Sequence, residues 1–169
     1  MDLQLSYCHA RLALLLQISQ TRLGASAVLN AGLLPAIIAS GLFATDPDLG
    51  VGEFFCHVSH GSLLTILDIE GPGALAKHYE LLAALMRIIC ACILSRGSQN
   101  QHSLEQGRRF LSENRLSILA VLKKSAGLGA IAGPSEQSVE ELSDSFMLLI
   151  SVTGFLDVRF EDLTSCCPC

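Results

Sequence analysis

The chain has 169 residues, of which 50% are hydrophobic, 16% are charged and 5% are aromatic, and its formal net charge is −5. This length suffices for one domain with a buried core, while the acidic balance, with no basic stripe to neutralise phosphates, argues against a nucleic-acid-binding surface. Leu, Ile and Ala dominate a helix-rich composition with more apolar surface than a small monomer easily hides, so part of it is expected to rest against something else.

The N-terminal quarter of the chain predicts three helices joined by tight corners. Apolar residues three and four positions apart place a first helix from Leu3 to Ser19. Thr21 is expected to cap a second helix, Arg22 to Asn30, and Gly32 supplies the left-handed residue that commonly follows a helix. Pro35 fits the first turn of a third helix, because its missing N–H costs nothing there. Six side chains are expected to face inward around this corner: Val28, Leu29, Leu33, Leu34, Ile37 and Ile38.

A long helix from Ala74 to Ser95 is expected at the centre of the structure. It follows the turn-like segment ATDPDLG, and it is apolar on nearly every side, which is typical of a helix covered on two sides. Cys90 and Cys92 lie on different sides of it and are interpreted as small core residues. Its continuous apolar stripe comprises Leu75, Tyr79, Leu82, Leu85, Ile89 and Ile93, and its few polar residues are Lys77, Glu80 and Arg87.

Two amphipathic helices are predicted in the last third of the chain. The first runs from Ser103 to Lys124 and begins with the capping box SLEQ. A glycine-rich corner with Gly127, Gly129 and Gly133-Pro134 follows, and the capping box SVEE, which begins at Ser138, opens a last helix to about Phe155. Their inward-facing residues are expected to be Leu104, Leu111, Ile118, Leu122, Val139, Leu142, Phe146 and Leu149.

Antiparallel helices joined by short corners predict an all-α fold. The favoured arrangement is a segment of an armadillo- or HEAT-like α-helical repeat, or solenoid. A compact helical bundle is the alternative, which periodicity does not exclude.

Four sequence segments, in chain order, carry a resemblance to a known family: QISQTRLGASAVLNAGLL, SGLFATDPDLG, ILSRGSQNQHSLEQGRRFLSENR and LLISVTGFLD. Together they resemble the C-terminal region of the large inner-ring scaffold nucleoporins, the nucleoporin 192/205 family. The shorter stretch GASAVLNAGLLPAIIASGLF is similar to an armadillo-type repeat, in which a corner of small residues separates two helices.

This resemblance implies a fragment of a long α-solenoid in the nuclear pore complex, at the nuclear envelope of the nucleus. It implies a structural scaffold rather than an enzyme, without a cofactor or a small-molecule substrate. The implied role is support of nucleocytoplasmic transport by binding other nucleoporins, both inner-ring and linker subunits, through residues that the resemblance does not identify.

The resemblance also suggests how the chain is divided. A solenoid segment is expected over residues 1–157, interrupted at residues 52–69 by GEFFCHVSHGSLLTILDI, and an irregular tail over residues 158–169. The interruption follows no clean helical period and separates DPDLGV from EGPGALAKHYELL. A retained intron and a lineage-specific loop remain alternative explanations, and either is expected to pack poorly against the helices.

Membrane insertion, secretion and disulfide bonding are not predicted. The longest apolar run, Leu81 to Leu94, carries Arg87 and is shorter than the about 20 residues that a membrane span needs. The N-terminal MDLQLSY has an acid where a signal peptide has a positive charge. The seven cysteines are an odd number without the spacing of a disulfide framework, which fits reduced thiols in the cytosol or nucleus.

Clusters that suggest metal binding or catalysis have simpler interpretations. Ser59, His60 and Ser62 lack both a nucleophile elbow and an acid to orient the histidine. The stretch GLGAIAG follows a helix and is interpreted as a corner rather than a phosphate cradle. The possible metal ligands lack the paired spacing of a zinc site: Cys56, His57, His60, Cys166, Cys167 and Cys169.

The remaining charged residues are interpreted as solvated. Arg108, Arg109 and Arg115 form one basic face, which Glu105 and Glu113 are expected to neutralise as partners four residues apart. His9 is most simply a partly exposed polar position on the first helix.

Two functions of different classes compete: a segment of a helical-repeat scaffold, and a free-standing armadillo-like adaptor that binds a peptide or helix of a partner protein. An independent repeat protein needs polar capping helices, whereas the first helix carries LALLL with little polar cover. This favours the scaffold segment, which is expected to self-associate through open end faces. Those faces are predicted at Leu12, Leu15 and Leu16 of the first helix and at Phe146, Leu149 and Phe155 of the last.

Overall fold

The chain folds into helices in a computed structural model that describes residues 3–43, 74–128 and 136–155. These residues contain no strand, and the predicted all-α fold class is confirmed. The interruption at 52–69 and the tail at 158–169 lie outside the described residues. The helices are α1 (Leu3–Ser19), α2 (Arg22–Asn30), α3 (Leu33–Ser40), α4 (Ala74–Arg96), α5 (Gln101–Glu113), α6 (Arg115–Lys123) and α7 (Glu136–Thr153), and the segment Lys124–Leu128 after α6 is kinked at Gly127.

The N-terminal helices end where the sequence predicts. Thr21 Oγ1 accepts a hydrogen bond from the backbone N–H of Gly24 at 3.0 Å and donates to the Ile18 carbonyl at 3.1 Å. This one side chain therefore closes α1 and caps α2. Gly32 follows α2 with a φ of 86°, in the left-handed region that glycine adopts at little cost. Pro35 lies in the first turn of α3, as predicted.

The predicted helix from Ser103 to Lys124 is in fact two helices. Asn114 separates α5 from α6 with φ −105° and ψ 20°, and its side-chain Nδ2 donates to the Phe110 carbonyl at 2.9 Å. A side-chain amide that donates to this carbonyl competes with the backbone hydrogen bonds of a regular helix. The prediction of one helix was wrong because Leu111 and Ile118 on either side of the break both face inward, so the apolar period continues across it.

Both predicted capping boxes are also wrong. Asn100 is the N-cap of α5, and its Oδ1 accepts hydrogen bonds from the backbone N–H and the hydroxyl of Ser103, each at 3.0 Å. Asn caps a helix as well as Ser does, and it stands three residues earlier, so the helix begins there. The last helix begins at Glu136, which leaves Ser138 inside its first turn.

Helix α4 lies between α1 and α7. Cys90 and Cys92 are two residues apart, which is about 200° around a helix, so their side chains point in nearly opposite directions. The Cys90 thiol donates to the Ser145 carbonyl of α7 at 3.4 Å, and the Cys92 thiol donates to the Ser19 hydroxyl of α1 at 3.3 Å. The predicted placement of these thiols on different sides is confirmed, and α1, α4 and α7 form a three-helix row.

Within this row, α4 and α7 run in the same direction. Arg87 pairs with Glu141, and one turn further along both helices Cys90 contacts Ser145.

Beside the row, α3 packs against α5. Phe43, just after α3, joins both parts, because its ring meets Phe110 at 5.3 Å and Phe146 at 6.0 Å between centroids, edge to face. Parallel helices in successive layers are typical of a helical solenoid.

Burial accounts for the apolar character of α4. The stretch Ala76–Arg96 is long and apolar enough to cross a membrane, with a mean hydropathy of 1.5, but 67% of it is buried among the other helices. Helices α2 and α3 are long and apolar enough to cross a membrane only if they are counted as one segment with a bend of 47° between them. Apart from Leu75, whose side chain lies outside the described part, the predicted stripe is buried as expected: Tyr79, Leu82, Leu85, Ile89 and Ile93.

Candidate interaction surfaces

The row ends on one side in an exposed apolar stripe of α1. Tyr7, Leu14 and Ile18 are spaced by seven and four residues, which places them on one line along the helix. Tyr7 is 66% exposed and Leu14 is 62% exposed. The guanidinium of Arg11 lies 5.5 Å from the centre of the Tyr7 ring, so a positive charge stands within the stripe. We call Tyr7, Arg11, Leu14 and Ile18 the α1 outer face.

The other end of the row is the exposed side of α7. Met147, which is 48% exposed, and Leu148 lie there, and the exposed carboxylates of Glu136, Glu140 and Asp144 lie along the exposed side of the same helix. We call these five residues the α7 outer face. It combines two large apolar side chains with three acids, and it lies on the side of the row opposite to α1.

The prediction from sequence assigned both end faces to the wrong side of their helices. Leu12, Leu15 and Leu16 are half-buried and pack against the core. Phe146 and Leu149 are buried, and Phe155 is half-buried. The reason is that α1 and α7 carry apolar residues on two sides, and periodicity identifies the apolar positions without showing which of them the neighbouring helix covers.

Arg108 holds α5 against the C-terminal end of α7. Its Nε donates to the Thr153 carbonyl at 2.8 Å, and its Nη1 donates to the Glu105 carboxylate at 3.3 Å. The last carbonyls of a helix have no partner within the helix, and a cation there also complements the helix dipole. The interpretation of Arg108 as merely solvated is therefore wrong. Glu105 does pair with an arginine of this face, but at a spacing of three residues rather than four.

A glycine allows this contact between α5 and α7. A Cβ on Gly107 would lie 2.9 Å from the Thr153 Cγ2, so only glycine lets the two helices approach this closely without a shift. Nothing in the sequence pattern indicated that Gly107 or Arg108 contacts α7, because their partners are about 45 residues away along the chain.

Replacing Arg108 with alanine is expected to lower the free energy of unfolding by about 1–2 kcal/mol, because it leaves the Thr153 carbonyl without its charged donor. Chemical denaturation followed by circular dichroism measures this. Arg109→Ala removes the same charge from the exposed neighbouring position and is expected to change the value by less than about 0.5 kcal/mol. Equal effects of the two variants would contradict the assigned role of Arg108.

The two buried cysteines behave as small core residues, as predicted. Burial raises the pKa of the Cys90 thiol to about 12. Burial also raises the pKa of Cys92, an effect that the hydrogen bond to Ser19 partly offsets. Both thiols therefore stay protonated at neutral pH, whereas metal binding and nucleophilic attack need the thiolate.

The other residues considered for chemistry are placed as follows. His9 is exposed on α1. Within the described ranges, no group of three or more His, Cys, Asp or Glu is arranged to hold a metal ion. Gly127, with φ 74°, forms the start of the predicted corner, and the rest of that corner after Leu128 lies outside the described ranges. The same applies to Ser59, Ser62, Cys56, His57, His60, Cys166, Cys167 and Cys169.

The layered helices and the open faces at both ends of the row define a segment of an α-helical-repeat scaffold. Comparison with known proteins then identifies the family. The sequence model of the nuclear pore complex scaffold, nucleoporins 186/192/205, matches residues 1–153, and the chain belongs to this family. The match ends at the last residue of α7.

The chain is much shorter than a curated relative that it matches. The chain is similar to nucleoporin NUP192 of Chaetomium thermophilum, with 38% identity over 185 aligned residues. The alignment covers 94% of this chain and 10% of the relative, so the chain spans about a tenth of that protein's length. The resemblance to the nucleoporin 192/205 family, the scaffold nucleoporins of the nuclear pore complex at the nuclear envelope, is thereby confirmed.

Proposed function

We propose that this chain supports nucleocytoplasmic transport by holding other nucleoporins in the inner ring of the pore, and that it does so through the two outer faces of the α1–α4–α7 row. The partners are inner-ring and linker nucleoporins. The observation that supports this proposal is the exposure of large apolar side chains at both ends of the row in a chain of a scaffold family. Large apolar side chains exposed together on one side of a helix are characteristic of protein–protein contact sites.

The chemistry of the two faces fits protein partners. Each face has at least two large apolar side chains, which supply the favourable free energy of association. Each also has charged side chains of one sign, Arg11 on α1 and the carboxylates on α7, which select partners by electrostatic complementarity. The proposed solenoid segment covers residues 1–157, with 52–69 as an insertion and 158–169 as an irregular tail.

The experiment expresses the tagged chain in the cells from which it comes. The chain is expected at the nuclear rim and is expected to co-purify with inner-ring nucleoporins identified by mass spectrometry. The double variant Leu14→Glu, Met147→Glu places a carboxylate in the apolar part of each outer face and is expected to lose both results. Leu116→Glu is the matched control, because Leu116 is 82% exposed on α6, outside both faces.

Two outcomes would overturn this proposal. The first is a folded wild-type chain distributed evenly through the cell. The second is co-purification, through the same faces, with a protein that is not a nucleoporin. That result would instead establish the free-standing adaptor.

A further inference from the structure

We propose that Ser112 is a phosphorylation site whose phosphate is held by Arg109 and Arg115. The serine is half-buried near the end of α5, and the two arginines are exposed on either side of it along the chain. This inference goes beyond the proposed function and does not depend on the two outer faces, because it concerns the basic face of α5 and α6.

The basic face keeps most of its positive charge in the folded chain. The sequence predicts that Glu113 neutralises it, yet within the described ranges no ion pair joins Glu113 to Arg109 or Arg115. Glu105 pairs with Arg108 instead. The four residues on each side of the serine include three arginines and one acid. The local charge therefore favours an anion.

Ser112 lies on the side of α5 that is directed away from the core, about 140° around the helix from the buried Gly107. Phe110 and Arg108 point to neighbours on nearly opposite flanks of α5. Phe110 meets the Phe43 ring, and Arg108 binds the end of α7. The side of α5 that carries Ser112 is thus not an end of the helix row.

The two arginines are neighbours of Ser112 on the helix surface. Each stands three residues from it, a spacing at which side chains of a helix meet. Arg115 lies beyond the break at Asn114, but helical hydrogen bonds continue across that break. The Asn114 amide donates to the Phe110 carbonyl at 3.2 Å, and the Ile118 amide donates to the Asn114 carbonyl at 3.1 Å.

A phosphate fits this position because it carries nearly two negative charges and three acceptor oxygens, which arginines bind through charge-assisted hydrogen bonds. A protein kinase that selects basic substrates would recognise Arg108 and Arg109, four and three residues before the serine. The end of a helix opens locally more easily than its middle, which gives the kinase access.

The transfer uses ATP as the phosphoryl donor. The Ser112 Oγ forms a bond to the γ-phosphorus while the bond from that phosphorus to the bridging oxygen of ADP breaks. The hydroxyl proton passes to the catalytic carboxylate of the kinase, and ADP leaves.

The first test asks whether the modification occurs. The tagged full chain is purified from the dividing cells from which it comes, with phosphatase inhibitors, and the peptide that contains Ser112 is analysed by mass spectrometry. We expect phosphate on Ser112, and at least about tenfold less of it in Arg109→Gln. Arg22→Gln removes the same charge from α2 and is expected to leave the modification unchanged. A wild-type chain without phosphate on Ser112, or an Arg109→Gln variant modified to the same extent, would overturn the inference.

The second test asks whether the two arginines hold the phosphate. The full chain is made with phosphoserine incorporated at position 112, and phosphorus NMR follows the second ionisation of the phosphate against pH. Neighbouring cations favour the dianion, so we expect this pKa to lie below its usual value of about 6. The double variant Arg109→Gln, Arg115→Gln is expected to return the pKa to about 6, whereas Arg22→Gln is expected to leave it low.

Two results of this titration would contradict the assigned arginines: a pKa of about 6 in the chain with both arginines, or an equally low pKa in the double variant. Circular dichroism of each protein confirms that it is folded. A change in stability alone does not move the ionisation of the phosphate, so the titration separates binding of the phosphate from a merely structural role of the arginines.

Discussion

Replacing Phe146 with alanine is expected to lower the free energy of unfolding by about 3–5 kcal/mol, as for other large-to-small changes in a packed core. Phe146 is 0% exposed in α7, and its ring meets Phe43 edge to face at 6.0 Å between centroids. Phe43 in turn contacts Phe110, so the cavity would open where the α1–α4–α7 row joins α3 and α5. Chemical denaturation of the folded chain, followed by circular dichroism, gives the value.

The adjacent residue provides the control for this experiment. Met147 is in the same helix, but its side chain points to solvent, and Met147→Ala is expected to change the free energy of unfolding by less than about 0.5 kcal/mol. Both measurements are made at one low protein concentration, so that association does not contribute to stability. If the two variants cost the same, the assignment of the covered and open sides of α7 is wrong.

Replacing Gly24 with alanine is the second change with a large expected effect. A Cβ at this position would lie 2.1 Å from the Ile18 carbonyl oxygen and 2.7 Å from the Thr21 Oγ1. The Ile18 carbonyl belongs to the backbone at the end of α1, so it cannot rotate away as a flexible side chain would. We expect the corner between α1 and α2 to open at a cost of about 1–3 kcal/mol, even though alanine favours helices by about 1 kcal/mol over glycine.

Hydrogen exchange locates this effect. Gly24→Ala is expected to reduce the protection of the Thr21 and Gly24 amides, which donate to the Ile18 carbonyl and the Thr21 hydroxyl at 3.2 and 3.0 Å. Ser26→Ala is the matched control, because it raises the helix propensity of α2 without adding a Cβ. A Gly24→Ala variant as stable as the wild type would show that α1 and α2 do not meet as closely as described.

The proposed function depends on residues that α4 leaves uncovered, and it does not depend on a pocket or a reactive group. A substitution such as Leu14→Glu is therefore expected to change binding while it leaves folding intact, whereas Phe146→Ala acts in the opposite way. This separation allows the binding experiments to be interpreted without a contribution from unfolding.

The helices of the N-terminal corner and the family were predictable from the sequence by itself. Thr21, Gly32 and Pro35 act through hydrogen bonds and backbone angles within a few residues, so their effect is readable in the local pattern. The family was recognisable because four extended segments match it in order, which does not require knowledge of any contact.

The break in the predicted long helix marks where such local inference fails. Asn114 ends α5 while the apolar period continues from Leu111 to Ile118, so the pattern contains no signal for the interruption. The cap at Asn100 was likewise missed, since several residues in that stretch are suitable caps and the pattern does not rank them.

The faces available for binding were decided only by the tertiary structure. Phe146 and Met147 are both large and apolar, and their sequence neighbourhood is the same, yet one is buried against Phe43 and the other is exposed. Arg108 has its role because the end of α7, 45 residues further along the chain, lies beside it. Local hydrogen bonds and dihedral preferences specify where a helix begins and ends, but which side of it is covered depends on packing with residues distant in the chain.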